Sequence, residues 1–182
     1  MSIELVRGPG RAARNVNVTA APAWASIRLS GGDCLRGTTV DILLLEDAPG
    51  DVKLFASLLR GDVSITVASN GAEALDYVFR RGRFKGLPAP DLIVVDLNVP
   101  LLNGHEVLNV IKSNSATRHL PVVVWSGSDN PDDIQRAYDL GCCAYMLKLA
   151  SLPDMEAQLS AFTNFWVRAV RYPCASHADM GS

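Results

Sequence analysis

The chain has 182 residues, 48% of them hydrophobic and 20% charged, and carries a formal net charge of −2. That is one ordinary domain with length to spare, and the composition excludes an intrinsically disordered or fibrous protein. The slight negative charge argues against a basic nucleic-acid-binding domain, and no apolar run approaches the ~20 residues needed to cross a bilayer.

Residues 1–38 hold Arg7, Arg11, Arg14, Arg28 and Arg36 against Glu4 and Asp33, a net of +3 that leaves −5 on residues 39–182. This Gly-, Ala- and Pro-bearing stretch has neither helical nor strand periodicity and closes on Gly31-Gly32, which predicts a disordered N-terminal extension. Its short apolar patch, Ala20–Ile27, is broken by Pro22, so it lacks the core of a secretory signal. From Val40 onward, short apolar runs alternate with amphipathic stretches, the pattern of βα units around a parallel sheet. Five strands are expected at Val40–Leu45, Ser64–Ala68, Leu92–Asp96, Val122–Trp125 and Ala144–Leu147. Three are almost wholly apolar, as strands covered on both faces must be, so the expected class is α/β, a three-layer doubly wound five-stranded sheet with five helices. The helical stripes are Val52, Phe55, Leu58 and Leu59; Ala74, Leu75, Val78 and Phe79; Val107, Leu108 and Ile111; and Ile134, Ala137 and Tyr138. The fifth starts near Pro153 and places Met155, Leu159, Phe162, Trp166 and Val170 at helical spacing. The folded domain is therefore expected over residues 39–173, with a frayed tail over 174–182. Cys34, Cys142, Cys143 and Cys174 show no CxxC spacing, which fits reduced thiols in a cytoplasmic protein better than a disulfide framework or a zinc site.

Ligands of open parallel sheets bind beyond the carboxyl ends of the strands. There the first strand delivers Glu46 and Asp47, the third Asp96, the fourth Ser126 and the fifth Lys148. Three clustered acids repel one another unless a cation sits among them, and an all-oxygen donor set suits Mg²⁺. One carboxylate so neutralised can attack phosphorus while a hydroxyl and an ammonium hold the transferred oxygens, which is the machinery of an acyl phosphate. A single acid at a strand end is commonplace, but five groups of matching chemistry at successive strand ends are not. His105 has no second histidine near it and is assigned no chemistry.

The segments ILLLEDAPGDVKL (Ile42–Leu54), DLIVVDLNVPLLNG (Asp91–Gly104), PVVVWSGSD (Pro121–Asp129) and AYDLGCCAYMLK (Ala137–Lys148) resemble the receiver domains of two-component response regulators. Pro100 and Gly104, four and eight residues after Asp96, fit that family's spacing. The resemblance implies a flavodoxin-like sheet of strand order 2-1-3-4-5. It implies that Asp96 is the phosphoacceptor, that Glu46, Asp47, Asp96 and the Asn98 backbone carbonyl hold Mg²⁺, and that Ser126 and Lys148 assist transfer. Tyr145, with Ser126, takes the switch position, where phosphorylation draws the hydroxyl inward and the aromatic ring follows. The implied function is that of a single-domain response regulator, phosphorylated by a sensor histidine kinase or a phosphotransfer protein and signalling through a protein-interaction face. Its chemistry is slow self-catalysed phosphotransfer and autodephosphorylation rather than turnover of a substrate. The alternative is a pseudo-receiver that signals without phosphate.

A finer resemblance, in the long loop Arg80–Pro90 and the ending FWVRAVRYP (Phe165–Pro173), is to small stand-alone regulators associated with phytochrome-type histidine kinases. The aromatic cluster Phe162, Phe165 and Trp166 leaves a homodimer open, while nothing after Pro173 reads as a DNA-binding domain. One departure stands out. Leu149 follows Lys148 where the family usually has proline, so the loop after Lys148 is expected to be placed differently.

Overall fold

The computed structural model describes residues 26–29 and 39–173. Its sheet has six strands, β1 (Ser26–Leu29), β2 (Val40–Leu45), β3 (Val63–Ala68), β4 (Leu92–Val95), β5 (Val122–Ser126) and β6 (Ala144–Leu147), in the order β1-β3-β2-β4-β5-β6. The strands β2 to β6 are all parallel. They form the expected five-stranded core, whose order is 2-1-3-4-5 when counted from Val40.

The strand β1 is additional. It pairs antiparallel with the outer side of β3, Ile27 opposite Ile65. It lies inside the segment expected to be an extension, and its Ser-Ile-Arg-Leu alternation is the period-2 pattern that an open sheet edge accepts. The rest of that extension, residues 1–25 and 30–38, and the frayed tail over 174–182 lie outside the described residues.

Side-chain alternation divides each central strand between two cores. Leu43 and Leu45 of β2, Ile93 and Val95 of β4, and Val122 and Val124 of β5 face one side. There they meet the helices α2 (Gly71–Val78), α3 (Gly104–Ser113) and α4 (Pro131–Asp139). Ile42, Leu44, Leu92, Val94, Val123 and Trp125 face the other side, against α1 (Pro49–Leu58) and α5 (Leu152–Phe162). The result is the three-layer sandwich that two-sided apolar strands require.

Helix starts follow local chemistry. Asn103 caps α3 in a reciprocal box with Glu106, Asn70 and Asn130 cap α2 and α4, and prolines occupy the first turns of α1, α4 and α5. The aromatic stripe beyond α5 does not stay α-helical. Over Thr163–Ala169 the turns widen to π register, and the Val170 N–H donates to the Phe165 carbonyl, five residues back, at 3.0 Å. Buried Thr163 donates its hydroxyl to the Leu159 carbonyl at 2.8 Å. In this register Trp166 and Val167 pack on the core while Phe165 is 56% exposed. The loop Arg80–Pro90 is pinned by Phe84, whose ring is buried edge-on against Tyr77. No helix among the described residues is long and apolar enough to cross a membrane.

Candidate functional site

The carboxyl ends of the parallel strands carry the predicted residues, and the backbone ladder holds each one in place. The Glu46 N–H donates to Ala68 O at 3.0 Å, the Asp96 N–H to Leu45 O at 2.9 Å, and the Lys148 N–H to Ser126 O at 2.8 Å. Each residue is thus tied to the neighbouring strand as it leaves its own, which brings separate segments of chain to one point.

Asp96 is at the centre and is 6% exposed. Its Oδ1 accepts from the fully buried Ser126 hydroxyl at 2.7 Å and from the Asn98 N–H at 3.2 Å. Its Oδ2 accepts from Lys148 Nζ at 2.8 Å. The same ammonium donates to Glu46 Oε2 at 2.5 Å and to Asp51 Oδ2 at 2.7 Å. Lys148 therefore reaches Asp96 in spite of Leu149, and no peptide bond among the described residues is cis. The departure expected at this loop does not displace the lysine.

Close packing fixes the loop that carries Asp96. Gly104 starts α3 directly beneath it, where an added Cβ would stand 2.4 Å from the Asp96 carbonyl oxygen and 2.7 Å from Leu97 Cα. Only a residue without a side chain lets the helix approach so near, which gives the Asp-to-Gly spacing of eight a steric cause.

Electrostatics follow from burial. Glu46 is almost wholly buried, and desolvation raises its pKa above the usual carboxylate range even though Lys148 and the Ala48 N–H favour its ionised form. Burial works against the charge of Lys148 as well, but its hydrogen bonds to Asp51, Asp96 and Glu46 outweigh it and hold the ammonium charged well above its ordinary range. Three carboxylates thus share one ammonium, an excess of negative charge that a hard cation would relieve. Asp47 and Asn98 are exposed beside this group. Among the described residues no three His, Cys, Asp or Glu side chains are already gathered as a metal-holding group. The donor set nonetheless suits Mg²⁺ chemically, since it consists of carboxylates and a carbonyl only.

Tyr145 is half-buried on β6 and donates its hydroxyl to the Ser128 carbonyl at 2.8 Å, two residues past Ser126. The Ser128 hydroxyl in turn donates to Asp133 Oδ2 at 2.6 Å. Tyr138, expected in the stripe of α4, is 48% exposed, and its oxygen accepts from the Tyr145 N–H at 3.2 Å. His105 is buried with Nε2 3.0 Å from the Asp133 carbonyl, a link between α3 and α4. Cys142 is a buried free thiol whose pKa burial pushes up to about 11, and Cys143 is exposed.

Sequence reasoning missed two residues of the site, Asp51 and Trp125. Asp51 falls in the first turn of α1, one helical turn after Asp47, a spacing that could have flagged it. Trp125 reads as an ordinary core residue, and it is 1% exposed, yet its ring lies under Lys148 Nζ at 5.0 Å.

Comparisons with known proteins identify the family. Residues 42–160 match the family model for the response regulator receiver domain. The response regulator Rcp1 of Synechocystis sp. is 34% identical over 137 residues, covering 74% of this chain and 93% of that protein. Among solved structures, the phosphorylated cyanobacterial phytochrome response regulator RcpA superposes with a TM-score of 0.72 at 34% identity, covering 75% of this chain and 99% of that one. The Mn²⁺-bound form of Rcp1 superposes with a TM-score of 0.70 at 32% identity, covering 74% and 99%. With a family match over most of its length, and with the acids, hydroxyl and lysine of its strand ends brought to one point, the chain belongs to the response regulator receiver-domain family.

Proposed function

We propose that this receiver accepts a phosphoryl group on Asp96 from a histidine kinase or a histidine phosphotransfer protein, and that the kinase is of the phytochrome type. The observation that carries the reading is the saturation of one carboxylate from two sides, Ser126 Oγ on Oδ1 at 2.7 Å and Lys148 Nζ on Oδ2 at 2.8 Å. The partner class is supported by the likeness to the phytochrome response regulator RcpA and to Rcp1.

In the transfer, a carboxylate oxygen of Asp96 forms a bond to phosphorus as the bond to the donor nitrogen breaks, and that electron pair stays on the donor histidine. Ser126 and Lys148 then stand where the phosphoryl oxygens arrive and hold them by hydrogen bonds. Glu46, Asp47, Asp96 and the Asn98 carbonyl would hold Mg²⁺, which supplies charge neutralisation for a dianion entering an acidic pocket. As the Ser126 hydroxyl follows the phosphoryl group, it shifts the chain that carries Ser128, and with it the anchor of the Tyr145 hydroxyl. That movement alters the face formed by α4, β6 and α5, and Phe165, exposed in the π-register segment after α5, offers an apolar group to a partner or a second copy.

Intact-mass spectrometry after incubation with acetyl phosphate and Mg²⁺ tests the reading. A base-labile adduct of one phosphoryl group on the wild type, absent from Asp96→Asn and absent with EDTA, is expected. A folded wild type that takes up no phosphoryl group would instead be a phosphorylation-independent interaction module.

A further inference from the structure

Leu149, not a proline, follows Lys148, yet the Lys148 ammonium is held at three carboxylates and above an aromatic ring. Two of these contacts come from residues with no place in the transfer described above. Asp51 reaches Nζ at 2.7 Å from the first turn of α1, and its side chain is 38% exposed. Trp125 stands directly before Ser126, with its ring 5.0 Å below Nζ. Phe55 packs against that ring at a tilt, with the two centroids 5.1 Å apart.

The Trp125 indole N–H is buried without a hydrogen-bond partner, so no polar contact of its own anchors the ring. Its packing against Phe55 and the cation above it account for its position. A buried indole under an ammonium is a favourable cation–π geometry, and it is strongest where water is excluded.

We infer that Asp51 and Trp125 are positioning residues that clamp Lys148 onto Asp96, taking over the restraint that proline at position 149 would provide. The inference rests on the phosphoacceptor reading of Asp96 and deepens it. The clamp has two parts: Asp51 draws the ammonium from the first turn of α1, and the Trp125 ring lies under it. A lysine side chain has several free rotors, so without these contacts the ammonium would spend much of its time in solvent, away from Asp96.

Asp51→Asn is the informative variant, because the position is partly exposed and the substitution is isosteric. Two readouts are made on the same samples with Mg²⁺ present. The first is the rate of phosphorylation by acetyl phosphate, compared in wild type, Asp51→Asn, Lys148→Ala and the double variant. The clamp predicts a roughly five- to thirtyfold fall for Asp51→Asn, the size of one charge-assisted contact, and no further fall once Lys148 is absent. The second is the ¹⁵N-resolved ammonium signal of Lys148, visible where a lysine is shielded from exchange with water and shifted by the ring beneath it. It is expected in the wild type and lost or moved toward free lysine in Asp51→Asn, while Trp125→Phe retains it with a smaller shift.

An Asp51→Asn protein with an unchanged ammonium signal overturns the clamp, as does an equal rate fall with and without Lys148. If the ammonium signal responds as expected but the wild type takes up no phosphoryl group, the clamp stands and the phosphoacceptor reading of Asp96 falls.

Discussion

Replacing Gly104 with alanine tests the packing that seats the Asp96 loop. The new methyl carbon would stand 2.4 Å from Asp96 O, 2.7 Å from Leu97 Cα and 2.8 Å from Val95 Cγ1. Ordinary carbon contacts are ~3.5–4 Å, so either α3 or the loop must retreat by about 1 Å. The first two neighbours are backbone, and the Gly104 N–H is itself bonded to Leu97 O at 3.0 Å, so no side-chain rotation relieves the clash. Overpacking of this kind costs about 1–3 kcal/mol, and alanine recovers under about 1 kcal/mol through helix propensity. We expect a net loss of about 1–2 kcal/mol, or roughly 3–8 °C in Tm for a domain of this size, measured by thermal and urea unfolding. Gly50 is the matched control, since an added Cβ there meets nothing within 4 Å and the residue lies in the first turn of α1. Gly50→Ala should be neutral or stabilising by up to about 1 kcal/mol. If Gly104→Ala unfolds within about 0.5 kcal/mol of wild type, the close approach of α3 to the Asp96 loop is wrong.

Three further outcomes follow from the site. Burial raises the folded-state pKa of Glu46, so the folded protein binds that proton more tightly than the unfolded chain; its contribution is fullest below the ordinary carboxylate pKa of 4.5 and is lost as pH rises through the raised value. In EDTA, Glu46→Gln should therefore gain stability relative to wild type from about pH 4 upward in thermal melts, and a difference that moves the other way refutes the burial argument. Mg²⁺ should raise the wild-type Tm with concentration, reflecting a stabilisation of about 2.7 kcal/mol at a hundred times Kd, while Asp47→Asn loses most of that shift; equal shifts in both would remove Asp47 from the metal site. Tyr145→Phe deletes the hydrogen bond to Ser128 O but keeps the ring. It should phosphorylate with acetyl phosphate within about twofold of wild type while relaxing the difference between unphosphorylated and phosphorylated amide spectra around Ser128, and an unaltered spectral difference would detach Tyr145 from the switch.

The sheet was legible because its strands are short, apolar and separated by helical stripes, a pattern set by burial on both faces. The expected strand over Val122–Trp125 runs one residue further, to Ser126, and the one over Leu92–Asp96 stops at Val95, so the chemistry-bearing residues lie at or just beyond the ladder's end. What was not legible depends on contacts remote in sequence. Ser26–Leu29 forms a strand only because β3 offers it an edge, and four alternating residues in a Gly- and Ala-bearing stretch carry too little signal of their own. The widening to π register over Thr163–Ala169 is likewise invisible to a periodicity that changes by about one residue per turn.

In the site, Glu46, Asp96, Ser126 and Lys148 could be placed from strand ends alone, because a parallel sheet gathers those ends at one edge. Asp51 could not, since a single acid in the first turn of a helix is ordinary dipole chemistry until a lysine almost a hundred residues away is seen to meet it. Trp125 was concealed by its own burial, which is the expected state of an aromatic residue in a central strand.

The most direct test of the central claim is reductive trapping of the phosphorylated protein. Borohydride converts an aspartyl phosphate to homoserine, and peptide mapping then locates it. After incubation with acetyl phosphate and Mg²⁺, homoserine is predicted at position 96 and at neither Asp47 nor Asp51, with no 5-hydroxynorvaline, the reduced form of a glutamyl phosphate, at Glu46. Homoserine at a different position, or none in a protein that carries a phosphoryl adduct, would contradict the assignment of Asp96 as the phosphoacceptor.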